Sequence, residues 1–88
     1  MQVSEICDLS DEMIEKAKRI YESTHSNEIK EIYMKMFRDY CLIELVAYQM
    51  KNDKTNPSKY LSRIEDLVCY MRDKYEKIQE KHQVRSIT

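Results

Sequence analysis

Asn52-Asp53-Lys54-Thr55-Asn56-Pro57 interrupts two long periodic stretches, and the reading of these six residues decides the fold. Asn56 followed by Pro57 is a helix-start signal, because proline at the first helical position lacks only an N–H that would have had no partner there. Upstream, Ile29, Ile32, Tyr33, Met36, Tyr40, Ile43, Ala47 and Met50 recur at helical spacing. Downstream, Tyr60, Leu61, Ile64, Leu67, Val68, Met71, Tyr75 and Ile78 do the same, backed by Ser62, Glu65, Asp66, Cys69, Arg72, Asp73 and Glu76. The pattern predicts helices over residues ~27–51 and ~57–83. So short a polar connection folds them into a long antiparallel hairpin, with position i roughly opposite 109 − i.

Before the hairpin, Thr24-His25-Ser26-Asn27 is a cluster of cap-forming residues, so the hairpin's first helix should open at Ser26 or Asn27. A shorter helix is predicted ahead of it, over ~11–24. Ser10 reads as its N-cap, Leu9 and Ile14 as a hydrophobic staple, and Met13, Ile14, Ala17, Ile20 and Tyr21 as its apolar face. Glu12/Lys16 and Glu15/Arg19 should pair on its outside. Residues 1–9 are expected to form a flexible lead and 84–88 a frayed tail of one all-α domain, a small helical bundle. At ~1.5 Å per residue the hairpin helices are each on the order of 40 Å long and the first helix on the order of 20 Å.

Composition supports an all-helical reading. The 88 residues include no glycine, one proline and no tryptophan, with 35% charged and 42% hydrophobic side chains. Without glycine the chain cannot form the phosphate-binding P-loop, the GxGxxG dinucleotide turn or the GxSxG nucleophile elbow. Fifteen basic against sixteen acidic residues leave a net charge of −1. That balance disfavours nucleic-acid binding, which needs a dense positive field to neutralise phosphates. The charges are nevertheless uneven: Glu5, Asp8, Asp11, Glu12 and Glu15 precede the first cation, while Arg72, Lys74, Lys77, Lys81 and Arg85 crowd the last helix. Lys, Ile, Tyr, Met, Asn and Phe total 36 residues against 8 for Gly, Ala, Arg and Pro, the bias expected of an AT-rich genome such as that of a phage or mobile element.

Three widely spaced cysteines, Cys7, Cys41 and Cys69, suggest neither a disulfide framework nor a zinc site. A reducing cytoplasm is the expected compartment. The most apolar run, 41–50, is too short for a bilayer and contains Glu44, so no membrane association is expected. Glu22-Ser23-Thr24-His25 has the E-x-x-H spacing of helical di-metal sites, but Gln79 stands at the matching position before His82, so no metal and no cofactor is implied. Cys41 is expected to be buried and inert and Cys69 accessible, and neither has a nearby histidine to activate it. Glu44 reads as an edge carboxylate or a partner of Arg63.

One feature is in excess of what a hairpin requires. Met34, Cys41, Leu45 and Tyr48 form a second seam away from the principal face, and Leu42 and Val46 widen it. A helix apolar nearly all round must be covered on more than one side. The first helix can cover part; the remainder is expected to meet another copy of the chain, or another protein. Seven tyrosines and six methionines fit a contact surface as well as a core. Tyr33, Tyr40, Tyr60 and Tyr75 belong to the principal faces with hydroxyls at the rim, whereas Tyr48 and Tyr70 flank them. The stretch Ile20-Tyr21-Glu22-Ser23-Thr24-His25-Ser26-Asn27-Glu28 resembles the junction between the last two helices of KIX coactivator domains, which implies a turn between helices there.

The expectation from the residues is therefore a small cytoplasmic regulator or inhibitor, not an enzyme, that acts by stoichiometric binding to an unidentified protein. Host takeover or anti-defence is a natural subclass for a phage-borne chain. Met34, Cys41, Leu42, Leu45, Tyr48 and Tyr70 are the candidate contact residues. The alternative is an oligomeric sponge for a small anionic ligand such as a nucleotide, held between subunits by Lys or Arg and tyrosine rings.

Overall fold

A computed structural model describes the backbone of residues 2–87 and the side chains of residues 2–83. The chain forms α1 (Val3–Ser23), α2 (Asn27–Asn52) and α3 (Pro57–Ile87). The α2–α3 hairpin makes the most extensive contact, and α1 packs against both of its helices to about the same extent. The result is a rod of 53 × 19 × 15 Å with a radius of gyration of 14.5 Å, against about 12 Å for a compact domain of this length.

The hairpin core is built on a seven-residue repeat. Ile29, Met36 and Ile43 of α2 and Ile64, Met71 and Ile78 of α3 are completely buried. Their shared spacing keeps each set on one stripe, and the antiparallel register brings isoleucine level with isoleucine and methionine level with methionine. Ion pairs hold that register: Lys81 Nζ lies 2.6 Å from Glu28 near the open end, and Lys74 Nζ lies 2.5 Å from Asp39 halfway along. Ser26 caps α2 as expected, its Oγ accepting the Ile29 N–H at 3.2 Å.

The first helix begins eight residues earlier than the sequence reading places it. Residues 3–9 are its first two turns rather than a flexible lead. Ser10 is not a cap: it is buried within the helix, and its hydroxyl donates to the Cys7 carbonyl oxygen one turn back at 2.8 Å. That internal bond lets a serine occupy an apolar stripe running Val3, Ile6, Ser10, Met13, Ala17 and Ile20. At 21 residues, α1 is ~30 Å long and lies along most of the hairpin instead of about half of it. The expected surface pairs do form, Lys16–Glu12 at 3.1 Å and Arg19–Glu15 at 3.5 Å. At the other end, the α3 backbone remains helical beyond residue 83 as far as Ile87.

Asp53 organises the hairpin loop. Its N–H closes the last turn of α2 on Gln49 O, and its Oδ1 accepts both the Thr55 N–H at 3.1 Å and the Thr55 hydroxyl at 2.5 Å. Its Oδ2 accepts the Tyr60 hydroxyl at 2.6 Å, tying the loop to the first turn of α3. The hydrogen bonds from the Thr55 hydroxyl, Tyr60 and the Thr55 N–H favour the ionised carboxylate and lower its pKa from 3.8 to about 2. A folded-state pKa below the unfolded value means that this contribution is complete above pH 3.8 and is lost as the pH falls towards 2. Acid titration followed by helicity is therefore expected to show a fall in stability across that window, and Asp53→Asn should flatten it. An unchanged acid profile in Asp53→Asn would show that the carboxylate does not govern the loop.

Candidate interaction surface

Ile29, Met36 and Ile43 lie on one side of α2, and behind them is a stripe left exposed by the described residues. Met34 is 56% exposed, Phe37 42%, Leu45 51% and Tyr48 66%, with Cys41 also exposed between them. At 100° per residue these five fall within a sector of about 80° and extend about 21 Å along the helix. Tyr70 of α3 is exposed beside the same helix: Lys74 Nζ, which holds Asp39 of α2, also sits 5.9 Å from the Tyr70 ring centre.

Met34, Cys41, Leu45 and Tyr48 share the outer face of α2. Leu42 is half-buried against the core, and Val46 is a core residue. The expectation that Cys41 is buried is corrected, because α1 meets α2 at Tyr33 and Tyr40, to one side of Cys41, and leaves its thiol in the open. Cys69 is exposed as expected, and Cys7 is half-buried. Burial, followed by the nearby charges of Glu44, Asp11 and Asp8, raises the Cys7 thiol pKa and so keeps it protonated and unreactive.

Phe37 was legible as part of this face only once the position of α1 was known. It belongs to an aromatic row in which the Tyr21 ring of α1 stacks on Tyr33 at 4.4 Å, Tyr33 lies 6.2 Å from Phe37, and Phe37 lies 6.1 Å from Tyr40. The Tyr40 hydroxyl donates to Asp11 Oδ1 at 2.7 Å across the α1–α2 junction. That bond, then burial, and then Glu44 hold the phenol well above the ordinary tyrosine range. Glu44 therefore belongs to the α1 side of the helix, by Tyr40 and Cys7, rather than to Arg63. The row fixes the flank of the stripe and leaves Phe37 at the edge between packed and open surface.

Two clefts adjoin these elements. One, of about 490 Å³ at the hairpin tip, is lined by Tyr48, Gln49, Asn52, Asp53, Lys59, Tyr60 and Arg63. The other, of about 230 Å³ between α1 and α3, is lined by Ile6, Leu9, Glu65, Val68, Cys69 and Arg72. Among the described residues no group of three or more His, Cys, Asp or Glu could hold a metal ion, and no helix is long and apolar enough to cross a membrane. His25 is exposed in the α1–α2 link, and His82 is half-exposed near the end of α3.

The chain matches no protein-family model, no curated protein and no solved structure. The likeness to KIX domains accordingly extends no further than the interhelical turn, which the structure places at residues 24–26.

Proposed function

We propose that this chain is a protein-interaction module, acting in the cytoplasm as a regulator or inhibitor by stoichiometric binding and not by turnover. The observation that supports this reading is the uncovered stripe on α2. Met34, Phe37, Cys41, Leu45 and Tyr48 offer on the order of 500 Å² of contiguous surface rich in large apolar side chains, at the upper end of what monomers leave exposed. Its methionine and aromatic residues are types that interfaces favour. The host-takeover or anti-defence subclass rests on composition alone.

The test uses the tagged chain as bait in its native host. Wild type should retain a second protein, a target or another copy, at a fixed ratio, and Leu45→Glu should lose it while keeping full helicity. Identical retention by the two baits would show that this face does not make the contact.

A second reading, the anion sponge, is favoured by the tip cleft, where Lys59 and Arg63 stand with Tyr48 and Tyr60. The ionised Asp53 in the same wall opposes an anion, so this reading ranks second. It requires a nucleotide to raise the melting temperature, with the rise lost in Arg63→Glu.

A further inference from the structure

We infer that the outer face of α2 closes on the same face of a second copy, antiparallel, with a two-fold axis passing beside Cys41. The inference rests on the reading of this face as a protein contact and names its occupant. Three observations carry it.

The first is spacing. Relative to Cys41, the exposed apolar residues stand at minus seven (Met34), minus four (Phe37), plus four (Leu45) and plus seven (Tyr48). A two-fold through Cys41 exchanges these positions in pairs. Met34 of one copy comes level with Tyr48 of the other, and Phe37 with Leu45. Isologous interfaces demand such self-complementarity, in which one patch serves both partners. Sulfur against an aromatic ring is a favourable contact at each end. The smallest side chain of the stripe occupies the axis, where two helices approach most closely.

The second is charge. The same rotation brings Arg38, three residues before Cys41, level with Glu44, three residues after it. Glu31 and Lys51, ten residues either side, are matched in the same way. All four are exposed. Charged residues at symmetry-related heights are thus opposite in sign, and a parallel arrangement would set each of them level with its own copy.

The third is area. The chain exposes 6287 Å², against about 5500 Å² for a folded monomer of its mass. The stripe provides on the order of 500 Å² of the roughly 800 Å² per partner that a standard stable interface buries. Leu42, Tyr70 and the flanking charges lie alongside to supply the rim. The pairing turns both α2 helices inward and leaves α1 and the α1–α3 cleft outward, free to meet a target.

Packed helix axes lie 8–10 Å apart and Cα atoms sit ~2.3 Å from each axis, so two Cys41 Cα atoms facing across the dyad would be ~3.5–5.5 Å apart. That range overlaps the 4.4–6.8 Å typical of disulfides. The experiment is mild oxidation by copper phenanthroline of full-length chains retaining one cysteine each, with solution mass measured in parallel. A Cys7→Ala, Cys69→Ser chain, which keeps Cys41, should cross-link to dimer more than about tenfold faster than a Cys7→Ala, Cys41→Ser chain, because pairing holds the two thiols at a local concentration of order mM. Leu45→Glu should abolish the difference. A dimeric mass without Cys41 cross-linking would overturn this pairing, the dimer then using another face. A monomeric mass with Leu45-dependent capture of a different protein would overturn it while leaving the protein-contact reading intact. A monomer that captures nothing would overturn both.

Discussion

Ile43→Ala is expected to lower the free energy of unfolding by about 2–5 kcal/mol, the usual cost of emptying a fully packed aliphatic site. Ile43 is completely buried at the level of Ile64, and the thin rod offers few neighbours that could collapse into the space. Against a total of roughly 4–13 kcal/mol for a chain of this length, the loss is a large fraction of the whole. Urea unfolding followed by far-ultraviolet circular dichroism reads it as a lower midpoint at unchanged slope. A shift of less than about 1 kcal/mol would mean that the heptad layers are not the core.

Lys74→Met should be nearly as damaging, for a different reason. Asp39 is buried on α2, and Lys74, 2.5 Å away, is the cation that compensates it. Removing one partner of such a pair strands the other charge, which costs about 3–5 kcal/mol when burial is complete. The Lys74 side chain is 26% exposed and that of Asp39 13%, so some water reaches the site and about 2–3 kcal/mol is expected here. The double variant Asp39→Leu, Lys74→Met removes both charges and should recover most of the loss. Full recovery identifies stranded charge as the cause, whereas additive losses in the double variant would show that the two residues act separately.

The hairpin was readable because Ser26, Asn56-Pro57 and two long 3.6-residue periods agree with one another, and α2 and α3 begin where those signals stand. The start of α1 was not, because Ser10 resembles a cap in sequence. Only the packed helix shows its hydroxyl satisfied internally and its small side chain buried. Asp39 escaped notice for a related reason: periodicity marks polar residues as outward, and its partner Lys74 lies 35 positions away.

The outer stripe was half legible. Met34, Cys41, Leu45 and Tyr48 announced themselves as apolar residues beyond what one hairpin can bury. Phe37 and the exposure of Cys41 depend on where α1 lies around α2, which periodicity within a single helix does not encode. Tyr40 and Asp11 settle that placement through a bond between residues 29 positions apart.

In the proposed pairing α2 faces two ways, inward to its own core and outward to a second copy. Light scattering on purified wild type and Leu45→Glu tests it most directly. The predicted result is twice the 10.7 kDa chain mass for wild type and the single-chain mass for a fully helical Leu45→Glu. Wild type and variant of equal mass, each folded, would contradict the assignment of the outer face of α2 to self-association.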